Sequence, residues 1–153
     1  MAALEPFRCA TSAKEQVDPA PLPYLVDPSY GSYDIKLEVT LQSEQMQEPH
    51  VISRSNFRHL YWSIRQQLVH HSVTGCNMNP GDLLGSGTIS GDHEGSYGSM
   101  LELAWMGTKP LELPTGEKRA SIQDGDILGM DAVCTREDLP FKVGFGECDG
   151  RII

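Results

Sequence analysis

A glycine- and hydroxyl-rich segment and a nearby glutamate are the parts of this sequence whose residue types and spacing could support chemistry. Residues 85–91 carry three glycines and three hydroxyl side chains around one isoleucine. Glycine lets the backbone bend tightly or approach a ligand closely, and each hydroxyl can both donate and accept a hydrogen bond. Glu102 follows between Leu101 and Leu103. In a strand its carboxylate would point away from both leucines, so the acid could face a small polar rim on which a ligand sits.

Two residues of this region are candidates for a site, and each has a plain structural alternative. Glu102 could be a strand residue that simply faces water. Thr88 could satisfy backbone groups of its own turn, as hydroxyl residues beside glycines commonly do. The residue types alone leave both readings open.

The remaining ionisable and aromatic residues do not form a recognisable ligand set. Adjacent His70 and His71 would point to different faces of a helix or strand and so could not readily hold one ion. Asp124-Gly125-Asp126 lacks the further ligands of a calcium loop, and we interpret it as a hairpin turn. We therefore predict no metal site formed by this chain alone. Lys109 and Arg119 could attract an anion, but solvated turn charges are the preferred interpretation. Four aromatic side chains are predicted to lie in the core: Phe57, Tyr61, Trp62 and Trp105.

Length and charge limit the classes of protein to which this chain can belong. A chain of 153 residues predicts one domain with a usable core. A net charge of −9 disfavours nucleic acid and anionic membranes as partners, because both call for clustered Lys and Arg. No apolar run approaches the roughly 18 residues of a membrane helix, and the amino terminus does not resemble a secretory signal. The four cysteines lack metal or disulfide spacing, which predicts free thiols and is consistent with a reducing cytoplasm.

The elements that must position these residues are mostly strands. Residues 1–32 predict an extended, proline-rich strap. Residues 33–41 alternate apolar and polar side chains, the pattern of a half-buried strand, and residues 50–53 predict a short strand paired back on it. Ser55 is the predicted N-cap of one helix over residues 56–71, which ends before Thr74-Gly75.

Short strands separated by turns are predicted for the rest of the chain. Thr115-Gly116 and Asp124-Gly125 indicate hairpins, and the strand candidates are residues 82–84, 100–105, 110–113, 126–132 and 141–145. Many strands around one helix predict a β-rich α+β fold, a mixed β-roll or sandwich with an embedded helix. Residues 33–153 would then form a single domain.

An ordered series of motifs along the whole chain resembles the fumarylacetoacetase family. Besides SGTISG and GSMLELAW, the series contains HHSVTGCN, GTKP, DGD and VGFGEC, preceded by PLPYL and SNF. Each motif is weak alone, whereas their succession over more than a hundred residues is specific. The resemblance covers about the last third of a complete family member, so we expect a fragment, a truncated gene model or a short isoform. It implies that residues 33–153 are a truncated domain. It also implies a carboxy-terminal mixed β-roll, independently of the pattern above.

The resemblance further implies a function. Family members add water to 4-fumarylacetoacetate, a diketo acid, and cleave a C–C bond to give fumarate and acetoacetate in tyrosine and phenylalanine breakdown. It implies that Glu102 supports a catalytic histidine of an upstream segment that this chain lacks, and that Thr88 contacts substrate. It also implies Ca²⁺ and Mg²⁺, held by carboxylates of upstream motifs that this chain lacks, together with a cytoplasmic homodimer. The alternative is a catalytically inactive piece that at most dimerises.

Overall fold

The sheet that organises the chain is built from antiparallel strands of uneven length. The computed structural model describes residues 2–9 and 16–153. The two longest pairings join β3 (Lys36–Gln42) to β4 (His50–Asn56) on one side and to β7 (Ile127–Cys134) on the other. The outer edge of β7 pairs with both β8 (Val143–Gly144) and β9 (Cys148–Arg151). Two small sheets complete the strands: β1 (Arg8–Cys9) with β2 (Ser32–Tyr33), and β5 (Leu111–Glu112) with β6 (Lys118–Arg119).

The alternating pattern around β3 determines which face of the sheet is buried. Ile35 and Leu41 lie at the two ends of the apolar series and are almost fully buried. They belong to separate clusters: Phe7, Tyr33, Ile35 and Cys134 form one, and Leu41, Met46, Ile52 and Leu113 form the other. Leu37 and Val39, between them, are partly buried and pack against these clusters, as expected of a period-two strand with one face on the core. The pairing of β3 with β4 confirms the predicted strand over 33–41 for residues 36–41 and the predicted strand over 50–53, which extends to Asn56.

The helix lies later in the chain than predicted. Residues Phe57–His59 form a 3-10 turn, and α1 spans only Ile64–Ser72. Its N-cap is Ser63, not Ser55, because Ser63 and Gln66 form a reciprocal capping box in which each side chain bonds to the other residue's backbone N–H. The predicted helix over 56–71 therefore had the wrong start. The predicted end is confirmed, since Gly75 adopts a φ of 85°.

Several short-range predictions for the second half of the chain were also wrong. Residues 82–84 are not a strand, and residues 100–105 form the short helix α2 (Met100–Leu103) and a turn. The hairpin at Thr115-Gly116 is confirmed by the pairing of β5 with β6. Asp124-Gly125 makes a turn, but it joins β6 to β7, which are not paired with each other. Strand β9 was not anticipated, because its sequence CDGR is polar.

Arg119 and Trp105 depart most clearly from the predicted environments. Arg119 was expected in solvent, yet it is only 6% exposed and pairs with Asp126, which is 1% exposed. The hydrogen bond to Asp126 raises the pKa of the Arg119 guanidinium. Trp105 was expected in the core, but it is 47% exposed and carries Lys109 Nζ at 4.6 Å from its ring centroid. The Arg119 charge is therefore buried and the Trp105 indole is exposed to solvent, the reverse of the expectation.

The β-rich α+β class is confirmed, since strands dominate and the α-helices are short. Residues 2–9 contribute to the fold through Phe7, which is buried beside Tyr33. The part of the predicted strap at residues 10–15 lies outside the described residues. None of the helices in the described ranges is long and apolar enough to cross a membrane.

Candidate active site

Glu102 lies on α2, and the sequence Ser99-Met100-Leu101-Glu102 explains why a helix forms there. Ser99 is the N-cap, and its hydroxyl accepts a hydrogen bond from the Glu102 N–H at 3.3 Å. Met100 and Leu103 pack against the cluster around Leu41. A four-residue helix is weak by itself, so this capping and packing hold Glu102 in place.

Two serine hydroxyls orient the Glu102 carboxylate. Ser99 Oγ donates to Oε2 at 2.8 Å, and Ser90 Oγ lies 2.9 Å from Oε1 and 2.8 Å from Oε2. Ser90 Oγ in turn accepts from the Gly98 N–H at 3.0 Å. An ionised carboxylate offers about four acceptor positions, so acceptor capacity is left for a further donor.

The loop between Ser90 and Ser99 is tied to the central sheet. Ser53 Oγ of β4 donates to the Tyr97 carbonyl at 2.7 Å, and the Arg54 N–H donates to the Gly95 carbonyl at 2.8 Å. Ser96 is fully buried and closes the loop by accepting at its carbonyl from the Gly91 N–H at 2.9 Å. The position of Ser90 relative to Glu102 is thus set by β4.

Gly98 permits the close approach on which this arrangement depends. A Cβ placed on Gly98 would lie 2.7 Å from the Ile89 carbonyl oxygen and 2.7 Å from Thr88 Cγ2. Real Cβ atoms do not come this close to other heavy atoms. A side chain at Gly98 would push Thr88 and Ser90 away from α2.

Thr88 and Glu102 line the same open cleft, whose volume is about 690 Å³. Thr88 is exposed, and within the described residues its hydroxyl makes no hydrogen bond. The turn role considered for Thr88 would require such a bond. The structure thus places the two predicted site residues in one cleft, with the Thr88 hydroxyl available.

The cleft also contains residues to which the sequence analysis assigned no role. Ser90 was noted only as one hydroxyl of the glycine-rich segment, and Ser99 was overlooked. The S-x-x-E spacing of Ser99 and Glu102 is a helix-start signal that could have identified both α2 and the serine. His59 and Gln67 line the cleft as well. No hydrogen bond joins His59 to Glu102 within residues 2–9 and 16–153.

The described residues do not supply a metal centre. Across residues 2–9 and 16–153, no group of three or more His, Cys, Asp or Glu side chains is arranged to hold a metal ion. Asp92 lies near the cleft, but its partner is His93, whose Nδ1 is 3.0 Å from Oδ1. That hydrogen bond holds the pKa of Asp92 below its usual range. The pair is exposed, and no third ligand joins it in the described part of the chain.

Comparison with known proteins decides the family. Residues 9–153 match the family described as "Fumarylacetoacetate (FAA) hydrolase C-terminal". The chain belongs to this fumarylacetoacetate hydrolase family. Among family members, fumarylacetoacetases of Dictyostelium discoideum and Homo sapiens are 48% and 45% identical to it over its whole length. The fumarylacetoacetase of Arabidopsis thaliana is 50% identical over 99% of the chain.

The match is to one part of these fumarylacetoacetase relatives. The chain spans 35% of the length of the Dictyostelium protein and 34% of the Arabidopsis protein. The resemblance to the carboxy-terminal part of the family is thereby confirmed.

Proposed function

We propose that this chain provides the carboxy-terminal part of a fumarylacetoacetase active site. The reaction is hydrolysis of the C–C bond of 4-fumarylacetoacetate to fumarate and acetoacetate, in tyrosine and phenylalanine catabolism. The observation that supports it is the juxtaposition of an oriented carboxylate with an unengaged hydroxyl in one cleft, at Glu102 and Thr88. The family relationship supports the reaction class.

In this proposal Glu102 is a positioning residue for a histidine that acts as the general base. A carboxylate that accepts the imidazole N–H holds the ring and stabilises the imidazolium formed as water loses its proton. Ser90 and Ser99 keep the carboxylate from rotating, so less reorganisation is needed during attack. As the family resemblance implies, we assign the base to a histidine outside this chain; His59 makes no hydrogen bond with Glu102 among the described residues.

Thr88 is proposed to bind a substrate oxygen. Its hydroxyl lies on the cleft wall beside Ser86 and Ser90, which are engaged with the Gly87 carbonyl and with Glu102 respectively. A diketo acid offers several acceptor oxygens to a free hydroxyl donor. Thr88 therefore serves as a recognition residue and takes no part in proton transfer.

The remaining properties of the whole enzyme are proposed from the family resemblance. A divalent cation, Ca²⁺ or Mg²⁺, would polarise the diketo oxygens when bound. As the family resemblance implies, we assign its ligands to carboxylates outside this chain; the described residues form no ligand set for it. A homodimer, a cytoplasmic location, a mixed β-roll or sandwich, and a division into a 1–32 strap and a 33–153 domain belong to the same proposal.

The second candidate is a catalytically inactive piece, favoured by the lack of a metal-ligand set among the described residues. Two assays separate the candidates. We expect the purified 153-residue chain to show no turnover of fumarylacetoacetate with added Ca²⁺ or Mg²⁺. We expect a chimera, in which this chain replaces the matching segment of Arabidopsis fumarylacetoacetase, to be active.

Each outcome has a distinct meaning. Metal-dependent turnover by the chain alone would contradict our assignment of base and ligands to other residues. A folded, metal-binding chimera without turnover would support the inactive alternative and contradict the proposed role. The native Arabidopsis enzyme is the control for assay conditions, and circular dichroism checks that the chimera is folded.

A further inference from the structure

A cysteine and a histidine meet at the carboxyl end of α1, outside the Glu102 cleft. The chain leaves α1 at Ser72 and reverses at Gly75, whose N–H donates to the Ser72 carbonyl at 3.0 Å. This reversal returns Cys76 to the last turn of the helix. Cys76 Sγ then lies 3.3 Å from His71 Nε2, and both side chains are exposed.

The pair borders an open cleft that could admit a small molecule. The cleft has a volume of about 620 Å³ and lies between α1 and residues 76–86. Leu68 and Leu83 give it apolar walls beside the thiol. Gln67 and Ser86 line both this cleft and the one at Glu102. The two clefts are therefore neighbours, but Cys76 and His71 line only the first and Glu102 lines only the second.

The chemistry of a thiol beside an imidazole is nucleophilic addition. An imidazole within hydrogen-bond reach can take the thiol proton as sulfur attacks. We propose that Cys76 and His71 form a reactive pair that adds to conjugated carbonyl compounds. The inference does not depend on the proposed hydrolysis.

The addition balances without an oxidant or a metal. The sulfur forms a bond to the β-carbon of the conjugated double bond, and the π electrons move to the carbonyl as an enolate. His71 accepts the thiol proton at Nε2 and returns it to the α-carbon. The product is a thioether on Cys76 with the double bond saturated, and His71 is regenerated.

The other residues of the chain supply matched comparisons. Cys148 is also exposed, but no hydrogen bond to its thiol occurs in the described part of the chain. Burial raises the pKa of the Cys9 and Cys134 thiols, which makes both slower nucleophiles at neutral pH. His70 adjoins His71 but contacts the Tyr24 hydroxyl, at 3.0 Å from Nδ1.

The experiment uses N-ethylmaleimide as the probe and follows each cysteine of the chain by peptide mass spectrometry. At pH 7 we expect Cys76 to react roughly tenfold or more faster than Cys148. His71→Gln should reduce the rate at Cys76 to that of Cys148, whereas His70→Gln should leave the advantage intact. Far-UV circular dichroism of both variants checks that α1 is retained.

Equal rates at Cys76 and Cys148 in the unchanged chain would overturn the proposal, as would an unaltered Cys76 rate in folded His71→Gln. If His71→Gln does not fold, the comparison of the Cys76 and Cys148 rates in the unchanged chain still tests the proposal. At about pH 10 hydroxide ionises thiols without help from a base, so the advantage of Cys76 should shrink toward unity. An advantage that persists at that pH would reflect access alone and would contradict a role for His71.

Discussion

Ser90 Oγ lies within hydrogen-bond distance of both carboxylate oxygens of Glu102, at 2.9 and 2.8 Å. This contact joins the glycine-rich segment to α2 across twelve residues of chain. Glu102 and Thr88 line the same cleft. Substitutions at these two residues can distinguish the contribution of the Glu102 charge from that of the Thr88 hydroxyl.

Glu102→Gln in the Arabidopsis chimera should lower kcat far more than it raises KM. The amide keeps the shape and one oxygen acceptor, but it loses the charge that supports an imidazolium. Loss of acid–base support is worth roughly 10²–10⁴-fold in rate. Steady-state kinetics measure both constants. His59→Gln is the control from the same cleft and should leave kcat nearly unchanged, while an unaltered kcat in Glu102→Gln would remove Glu102 from the mechanism.

Thr88→Val in the chimera should raise KM with little change in kcat. The substitution keeps the β-branched shape and removes one hydroxyl, whose bond to a charged substrate group is worth about 1.5–3 kcal/mol, or roughly 10–100-fold in affinity. Because the hydroxyl makes no hydrogen bond within the described residues, the melting temperature should not fall.

Thr115→Val is the matched control for Thr88→Val. The Thr115 hydroxyl donates to Glu117 at 2.7 Å, so its loss should lower the melting temperature and leave KM alone. If Thr88→Val showed that pattern instead, Thr88 would be a structural residue.

Arg119→Met should destabilise the chain by about 3 kcal/mol, because it leaves the buried Asp126 carboxylate without its partner. Urea unfolding monitored by tryptophan fluorescence measures the change. Arg136→Met breaks an exposed ion pair with Asp138 and should have little effect. A double variant, Arg119→Met with Asp126→Leu, should recover much of the loss, since it removes both charges together. Failure of the double variant to recover would indicate that packing around Arg119, not the unpaired charge, is responsible.

Ser43→Ala should lower the free energy of unfolding most at neutral pH and least in acid. The Ser43 hydroxyl donates to Glu117 and is the main cause that holds the pKa of Glu117 below its ordinary value of 4.5, ahead of hydrogen bonds from Thr115 and Arg119. A lowered carboxyl pKa contributes stability that is fully present above the ordinary value and is lost as the pH falls through the folded-state value.

Urea unfolding at pH 7 and at about pH 2 measures this dependence. The unfolding free energies of the unchanged chain and Ser43→Ala should differ at pH 7 and converge in acid. Ser121→Ala removes an exposed hydroxyl and should show no such dependence on pH. A Ser43→Ala deficit that stayed constant with pH would assign the effect to packing.

Local patterns in the sequence were sufficient to predict the family, the pairing of β3 with β4, and the hairpin at Thr115-Gly116. Period-two alternation and turn residues act over a few neighbours, so they can be recognised without the fold. The motif series likewise indicated Glu102 and Thr88 as candidates before any contact was known. The tertiary structure then placed both in one cleft, and their roles stay a prediction.

Tertiary contacts decided the features that local patterns left ambiguous. The stretch Met100–Leu103 suits either a strand or a helix, and the Ser99 cap together with burial of Met100 and Leu103 selects the helix. Arg119 is buried because Asp126 arrives from a later turn to neutralise it. Ser90 meets Glu102 because β4 holds the intervening loop. The hydrogen-bond and ion-pair partners in these contacts are separated by up to 44 residues, a distance over which no local propensity acts.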